Sequence, residues 1–204
     1  MKLRPTRELF AYWNSVRRAR AAPDRLEFDP SAIRDILADV FLLEVDAAGR
    51  YPVRLPGTRV NAVFGGDLRG RSFLDLWSEA PARRDLARLM RAVSDEAVGF
   101  VAGVGARAGA DAAMTEFELI ALPMRQDGRT HARIIGALAS AGTPAWLGRD
   151  EARLVEMTSL RILTPDSLAR PAPAARRRAH LVVYDGGKTS GEKMSIAAEG
   201  GATL

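Results

Sequence analysis

The stretch YPVRLPGTRVNAVFGGDLRGRSFLDLW, residues 51–77, decides the fold. In its first residues, apolar Val53 and Leu55 alternate with polar or loop-forming neighbours, which is typical of a half-buried strand. Pro56-Gly57 and Gly65-Gly66 then interrupt the chain, as such pairs do at turns and loops. We therefore predict a strand that leads into a short helical or looped excursion.

Outward from this stretch, the apolar patterns predict an α+β fold: a curved antiparallel sheet of five strands with helices on one face. The predicted strands are residues 41–45, 51–55, 98–109, 114–124 and 133–140. Two helices should precede the sheet, the first capped by Thr6 and the second by Asp29 ahead of Pro30. Another helix is predicted from Pro81 to about residue 97, and a last one over residues 150–163.

These elements divide the chain into four parts. Residues 1–40 should form the N-terminal helices, 41–142 the core, 143–164 a C-terminal helix, and 165–204 a tail rich in Pro, Arg and Gly. With 204 residues, 47% of them hydrophobic and 27% charged, the chain matches one globular domain with appended segments. It has no apolar run of membrane-spanning length and no signal-like start, so we expect a soluble cytoplasmic protein with no membrane partner.

The net charge of +5 is only a weak guide to partners. All but three of the thirty basic residues are Arg, which suits phosphate or carboxylate binding but can equally reflect a coding bias. The cluster Arg176–Arg178 could meet an acidic partner or nucleic acid. Because three arginines neutralise few phosphates, the sequence argues against a functional nucleic-acid site.

Residues 55–77 resemble the PAS domain family through three phrases: Leu55-Pro-Gly-Thr, Phe64-Gly-Gly-Asp with Gly70-Arg-Ser, and Leu74-Asp-Leu-Trp. The first helix carries Tyr12-Trp13, which resembles the N-terminal "YW" helix of stand-alone bacterial PAS proteins of the alphaproteobacterial type. The resemblance covers residues 9–163. It implies a sensory or regulatory module that signals through partners or dimers and that can enclose a small ligand.

The cofactors typical of that family place checkable demands on the chain. A cysteinyl-flavin adduct needs a Cys, and the sequence has none. Haem ligation commonly uses a His on the long helix, but the two histidines are His131, in a predicted hairpin, and His180, in the tail. Two such residues with no nearby acidic partner also make a thin metal site. The sequence thus argues against haem, cysteinyl-flavin and metal, and leaves any other cofactor unknown.

An organic ligand in an apolar pocket stays open. Its candidate residues are the inward strand positions, the aromatic residues of the excursion, and two polar ones: Val53, Leu55, Thr58, Asn61, Phe64, Leu74, Trp77, Phe117, Leu119 and Ala121. The alternative is a filled core, which residues at these spacings form far more often than a pocket wall. Gly65 and Gly70 need only turns with positive φ to explain them.

The function that fits best is regulation through protein–protein contact, by a module with no output domain of its own. Phe10, Trp13 and Val16 form an apolar helical stripe that could bind a partner protein or a second copy of the chain. A small-molecule sensor is the alternative. We do not expect an enzyme, because no set of nucleophile, base and oxyanion donor is visible. Glu116 and Glu118 share a strand face, but a solvent-facing strand explains them better than catalysis.

Overall fold

A computed structural model describes residues 1–109, 111–126 and 129–164. The helices are α1 (Arg4–Arg17), α2 (Thr58–Val63) and α3 (Ala80–Asp95), with 3₁₀ segments at Arg25–Glu27, Pro30–Asp39 and Phe73–Leu76. The strands are β1 (Val40–Glu44), β2 (Val53–Pro56), β3 (Gly99–Arg107), β4 (Thr115–Gln126), β5 (Arg129–Ser140) and β6 (Arg153–Leu163). The tail predicted at 165–204 and the side chain of His131 lie outside the described residues.

The described strands form one antiparallel sheet in the order β2-β1-β5-β4-β3-β6. The predicted α+β class and antiparallel sheet are confirmed, although the sheet has six strands where five were predicted. All of the predicted strands are present within a few residues of their expected bounds. The pairs at the centre, β4 with β5 and β3 with β4, join strands that follow one another in the chain. The pairs β1 with β5 and β3 with β6 join distant parts of the chain.

The prediction of a C-terminal helix over 150–163 is wrong, because these residues form β6 on the edge of β3. The register with β3 shifts twice, so Val104 faces Met157 and Ala106 faces Leu154. Each shift adds a residue to β6, as in a β-bulge. The residues directed at the core are therefore 154, 157 and 160, and this three-residue spacing imitates one face of a helix. The predicted core ended at residue 142, before β6, although β6 belongs to the same sheet.

Both faces of the sheet are apolar because β4 and β5 alternate between two hydrophobic clusters. Phe117, Leu119 and Ala121 lie in a cluster with α2, α3 and the segment Phe73–Leu76, and we call this side the inner face. Ile120, Leu122 and Met124 lie in a second cluster with α1 and Pro30–Asp39 on the opposite side, the outer face. Successive strand residues point to opposite sides, so both faces are apolar, and helical segments cover both of them where the sequence predicted helices on one face.

The N-terminal helices form where the sequence predicted them but begin differently. Thr6 does not cap α1: the N-cap is Leu3, and it has no side-chain cap of its own. The predicted cap at Asp29 is confirmed, since its carboxylate accepts a hydrogen bond from the Ser31 N–H at 2.9 Å. This second segment is a kinked 3₁₀ helix, with Ile33 outside the helical region of φ and ψ.

Candidate functional site

Most of the predicted pocket residues come together on the inner face, where they are packed tightly. Val53, Phe64, Trp77, Phe117, Leu119 and Ala121 belong to the inner cluster, and each is at most 4% exposed. Leu74 is half-buried against the same cluster. Asn61 is also half-buried, and its Oδ1 accepts a hydrogen bond from the Leu68 N–H at 3.2 Å, so it organises the loop.

Leu55 and Thr58 do not belong to this inner site. Thr58 is exposed at the start of α2, and Leu55 is 55% exposed. The reason lies in a register shift between β1 and β2: Leu43 faces Val53, but Leu42 faces Leu55, so Arg54 is an extra residue. One extra residue turns every later side chain of a strand to the other face. The prediction that Leu55 points inward is therefore wrong.

Trp77 is the one residue of the described inner cluster with a buried side-chain donor that lacks a hydrogen-bond partner. Its side chain is 0% exposed, and its indole Nε1 has no hydrogen-bond partner among the described residues. A buried donor without an acceptor costs about 1–3 kcal/mol. This N–H is available to a water molecule or to a ligand with an acceptor atom.

The loop of residues 64–72 fixes the exposed edge of β2. Gly65 and Gly70 have φ of 70° and 78°, which confirms the predicted positive-φ turns. The Val53 N–H donates to the Arg71 carbonyl at 2.9 Å, and the Gly70 N–H donates to the Val53 carbonyl at 2.8 Å. The outer edge of β2 is therefore already paired at Val53 by this loop.

The aromatic stripe of α1 packs on the protein's own sheet. Trp13 is 4% exposed, and its Nε1–H donates to the Pro123 carbonyl of β4 at 2.8 Å. The Arg17 guanidinium lies 5.3 Å from the centre of the Trp13 ring, a cation–π distance. Phe10 and Val16 are only half-buried. Of the three predicted interface residues, Trp13 thus makes its contacts within its own chain.

Glu118 of β4 replaces the missing cap of α1, a role that the sequence analysis did not assign. Its carboxylate accepts hydrogen bonds from the backbone N–H groups of Lys2 and Leu3, with Leu3 at 3.1 Å, and from the Thr6 hydroxyl. Burial alone would raise the pKa of Glu118, but these hydrogen bonds outweigh it and hold the pKa below its usual value. Unlike exposed Glu116, Glu118 is not a solvent-facing residue.

An open apolar groove lies on the outer face at the β2 end of the sheet. It consists of two adjoining depressions of about 190 Å³ and about 510 Å³, which share Arg25, Leu42 and Leu55. Between β1, β2 and the two 3₁₀ segments, its walls include Phe28, Ile33, Leu37, Val40, Pro56, Met124 and Ile135. α1 covers the neighbouring part of the outer face and leaves this end open.

The exposed leucines of the described chain converge on this groove. The large hydrophobic side chains with substantial exposure there are Leu26 at 85%, Leu55 at 55% and Leu37 at 37%, and all three line one or both depressions. Sequence reasoning missed the groove because it assigned Leu55 to the inward positions of its strand. The one feature of the sequence that could have indicated the groove was Leu26, an apolar residue in a short polar segment.

Arginines line the second depression. Arg54 and Arg133 both lie near Glu44, with Arg133 Nη1 at 3.7 Å from its Oε2. Arg25 has no ion pair with any described carboxylate, since Glu27 pairs with Arg20 at 2.7 Å and Asp24 caps the Leu26 N–H. The lining therefore carries an excess of positive charge. Within the described ranges, no cluster of His, Asp and Glu suitable for a metal ion occurs, and no helix is long and apolar enough to cross a membrane.

Comparison with known proteins assigns the family. The sequence model of the PAS domain matches residues 1–139, a range that includes α1 and the strands through most of β5, and the chain therefore belongs to the PAS domain family. The family identity predicted from the phrases around Gly65 and Trp77 is confirmed. PAS domains are sensory and signalling modules, and the chain falls in that class.

Similarity to individual proteins is weaker. No curated protein matches the chain. One similar solved structure is an RNA-binding light-oxygen-voltage receptor, with 15% sequence identity and a TM-score of 0.39 over 54% of this chain. The chain spans about a third of the length of that receptor, since the match covers 33% of it.

Proposed function

We propose that this chain is a cytoplasmic regulatory module that signals by binding another protein through the groove on the outer face, and not by catalysis. The observation that carries the proposal is the convergence of Leu26, Leu37 and Leu55 on one open, arginine-lined groove. Exposed apolar surface costs about 25 cal/mol per Å². Contiguous apolar patches with polar rims mark interaction sites more often than chance exposure does.

Photo-crosslinking in cells tests this proposal. A photoreactive amino acid at position 26 should yield one protein adduct, while the same group at Arg84, on the exposed side of α3, should not. The captured protein is then purified, and its binding to the full chain is measured with and without Leu55→Asp. Loss of binding with that variant supports the groove. If the purified protein binds the variant equally well, or position 26 yields no adduct, the proposal is wrong.

We include self-association among the contacts that the module makes. Trp13 is used within the fold, so the half-buried Phe10 and Val16 are the remaining stripe residues for a dimer contact. The finer assignment to bacterial PAS proteins with an N-terminal YW helix belongs to the same proposal, supported by Tyr12-Trp13 on a helix docked against the sheet. Sedimentation of the wild-type protein and of Val16→Asp tests the dimer. A monomer mass for both proteins would exclude the dimer.

A small-molecule sensor is the second candidate, favoured by the unpartnered Nε1 of Trp77. A ligand acceptor, such as a carbonyl oxygen, would satisfy that buried N–H. Native mass spectrometry followed by denaturation reports any retained molecule. The sensor hypothesis expects extra mass in wild-type protein that is lost in Trp77→Phe but kept in Trp146→Phe. Trp146 is the matched control because its Nε1–H already donates to Thr115 Oγ1 at 3.1 Å. The same retained mass in both variants would contradict a role for Trp77.

A further inference from the structure

The backbone groups that β2 leaves unpaired limit the kind of partner that can bind in the groove. Strand addition at β2 is disfavoured: the loop at Gly70 and Arg71 already pairs with Val53, and Pro56 has no N–H to donate. A partner must then dock through side chains, as an amphipathic helix does when it places its apolar face into a groove. Leu26, Leu37 and Leu55 provide the apolar contacts for such a face.

The charge of the groove lining limits the chemistry of the partner further. Three arginines line the described groove, whereas Glu44 is the single described carboxylate that neutralises any of them, and Arg25 is unpaired within the described ranges. Carboxylates on an incoming segment would complete these pairs. Such charge complementarity mainly raises the association rate and selects among partners.

The chain itself is a poor occupant. A second copy would bring the same arginine-lined surface, so a symmetric contact would oppose like charges. Residues 165–204 carry six Lys or Arg and four Asp or Glu, and Arg176–Arg178 lie just ahead of the apolar run at 181–184. The tail places one carboxylate, Asp185, directly after that run against three arginines before it, and a second copy adds more arginines, so neither source balances the positive charge of the groove.

We propose that the groove binds an acidic amphipathic helix of a partner protein, with leucine-type side chains on one face and carboxylates along its flanks. The inference rests on the proposed function and specifies the chemistry of the partner at that site. Leucine-type residues pack against Leu26, Leu37 and Leu55, and carboxylates pair with Arg25 and Arg54. Binding should weaken as salt increases.

Three designed peptides of about 18 residues test the charge and the apolar face separately. One has leucines at helical spacing and Glu on the flanks, the second has Lys in place of Glu, and the third keeps Glu but has Ser in place of Leu. Fluorescence anisotropy with the full 204-residue chain should show binding of the first peptide alone. Equal binding of the Lys peptide, or no binding of the Glu peptide at about 1 mM, would overturn the inference.

Charge-matched variants locate the contact. Arg25→Glu should weaken binding of the Glu peptide by about tenfold or more, which corresponds to about 1.4 kcal/mol. Arg7→Glu makes the same charge change on the exposed side of α1 and should leave the affinity within about twofold. Leu26→Ser should also weaken binding, and its high exposure makes misfolding a minor concern; melting curves check this. Equal effects of Arg25→Glu and Arg7→Glu would overturn the inference.

The other occupants give distinct results. In the purified chain, a photoreactive group at position 26 that links to residues 165–204, or to a second copy, would show that the chain fills its own groove and would overturn the inference. A partner protein that binds at the groove but is not displaced by the Glu peptide would overturn the acidic helix while leaving the proposed function intact. If no partner protein binds in a groove-dependent way, both the acidic-helix inference and the proposed function are wrong.

Discussion

The two faces of the sheet differ in how completely they are covered. On the inner face, α2, α3 and the segment Phe73–Leu76 bury the strand side chains, many of them at 0–1% exposure. On the outer face, α1 and Pro30–Asp39 cover β4 and β5, but the β2 end remains an open groove. The inner face is thus a closed core that stabilises the fold, and the incomplete cover of the outer face provides the surface on which the proposed recognition depends.

The largest expected effect comes from the inner face. Phe73 is 1% exposed, and its ring stacks on Phe41 with centroids 4.8 Å apart. Phe73→Ala should lower the free energy of unfolding by about 3–5 kcal/mol, because it leaves a cavity. Urea unfolding followed by circular dichroism measures this, with Leu55→Ala in the groove as the control. A loss below about 1 kcal/mol would mean that the inner face is not a packed core.

The tryptophans provide the next comparison. Trp13→Phe keeps most of the packing but leaves the buried Pro123 carbonyl without its donor, at a cost of about 1–3 kcal/mol. Trp146→Phe removes a half-buried bond to a Thr115 hydroxyl, which can bond to water instead, and should cost less. Trp77→Phe removes a donor that has no described acceptor, so it should cost only the packing lost with the smaller ring, less than Trp13→Phe. Thermal unfolding of the three variants checks the order, and a Trp77→Phe variant that costs more than Trp13→Phe would indicate that the Trp77 N–H has a bound water or ligand as partner.

A smaller effect is expected at Glu118, which caps α1 from β4. Glu118→Gln should cost about 1 kcal/mol near neutral pH, in the range of a lost helix cap. Because the folded-state pKa is lowered from 4.5, the carboxylate stabilises the fold above that unfolded-state value, and its contribution is lost as the pH falls through the folded pKa.

The free energy of unfolding should therefore differ between wild type and Glu118→Gln at about pH 7, with the difference shrinking as the pH falls below 4.5 and through the folded-state pKa. Glu116→Gln is the control, since Glu116 is exposed on the same strand. A difference that persists unchanged in acid would contradict the assigned role of the carboxylate.

The smallest expected effect on stability is in the groove. Leu26 is 85% exposed, so Leu26→Ser should change the free energy of unfolding by no more than about 0.5 kcal/mol. Thermal unfolding measures this beside Phe73→Ala. A large destabilisation would show that Leu26 packs within the fold and is not available to a partner.

The fold could largely be predicted because period-two patterns are strong in β3, β4 and β5, and the phrases around Gly65 and Trp77 indicated the family. Two of the wrong predictions, the inward Leu55 and the helix over residues 150–163, share one cause. At Arg54 and twice in β6, an extra residue shifts the register, and local periodicity then assigns the wrong face to Leu55 and a helix to residues 150–163. Such shifts depend on the neighbouring strand, which a single pattern does not contain.

The candidate site was less predictable for the same reason. The groove arises from the segment at Arg25–Glu27, the kinked Pro30–Asp39 and the β1–β2 register shift, which are far apart or irregular in sequence. The docking of Trp13 on Pro123 joins residues 110 positions apart. An apolar helix stripe alone does not say whether the helix packs on its own chain or on a partner.

Hydrogen–deuterium exchange of the full chain, alone and with the Glu peptide, tests most directly whether the open end of the outer face is the recognition surface. We expect added protection in residues 25–28, 37–42 and 54–57, which include the groove lining, and unchanged exchange in α2 and α3 of the inner face. Protection confined to those inner helices, or no protection with the peptide bound, would contradict it.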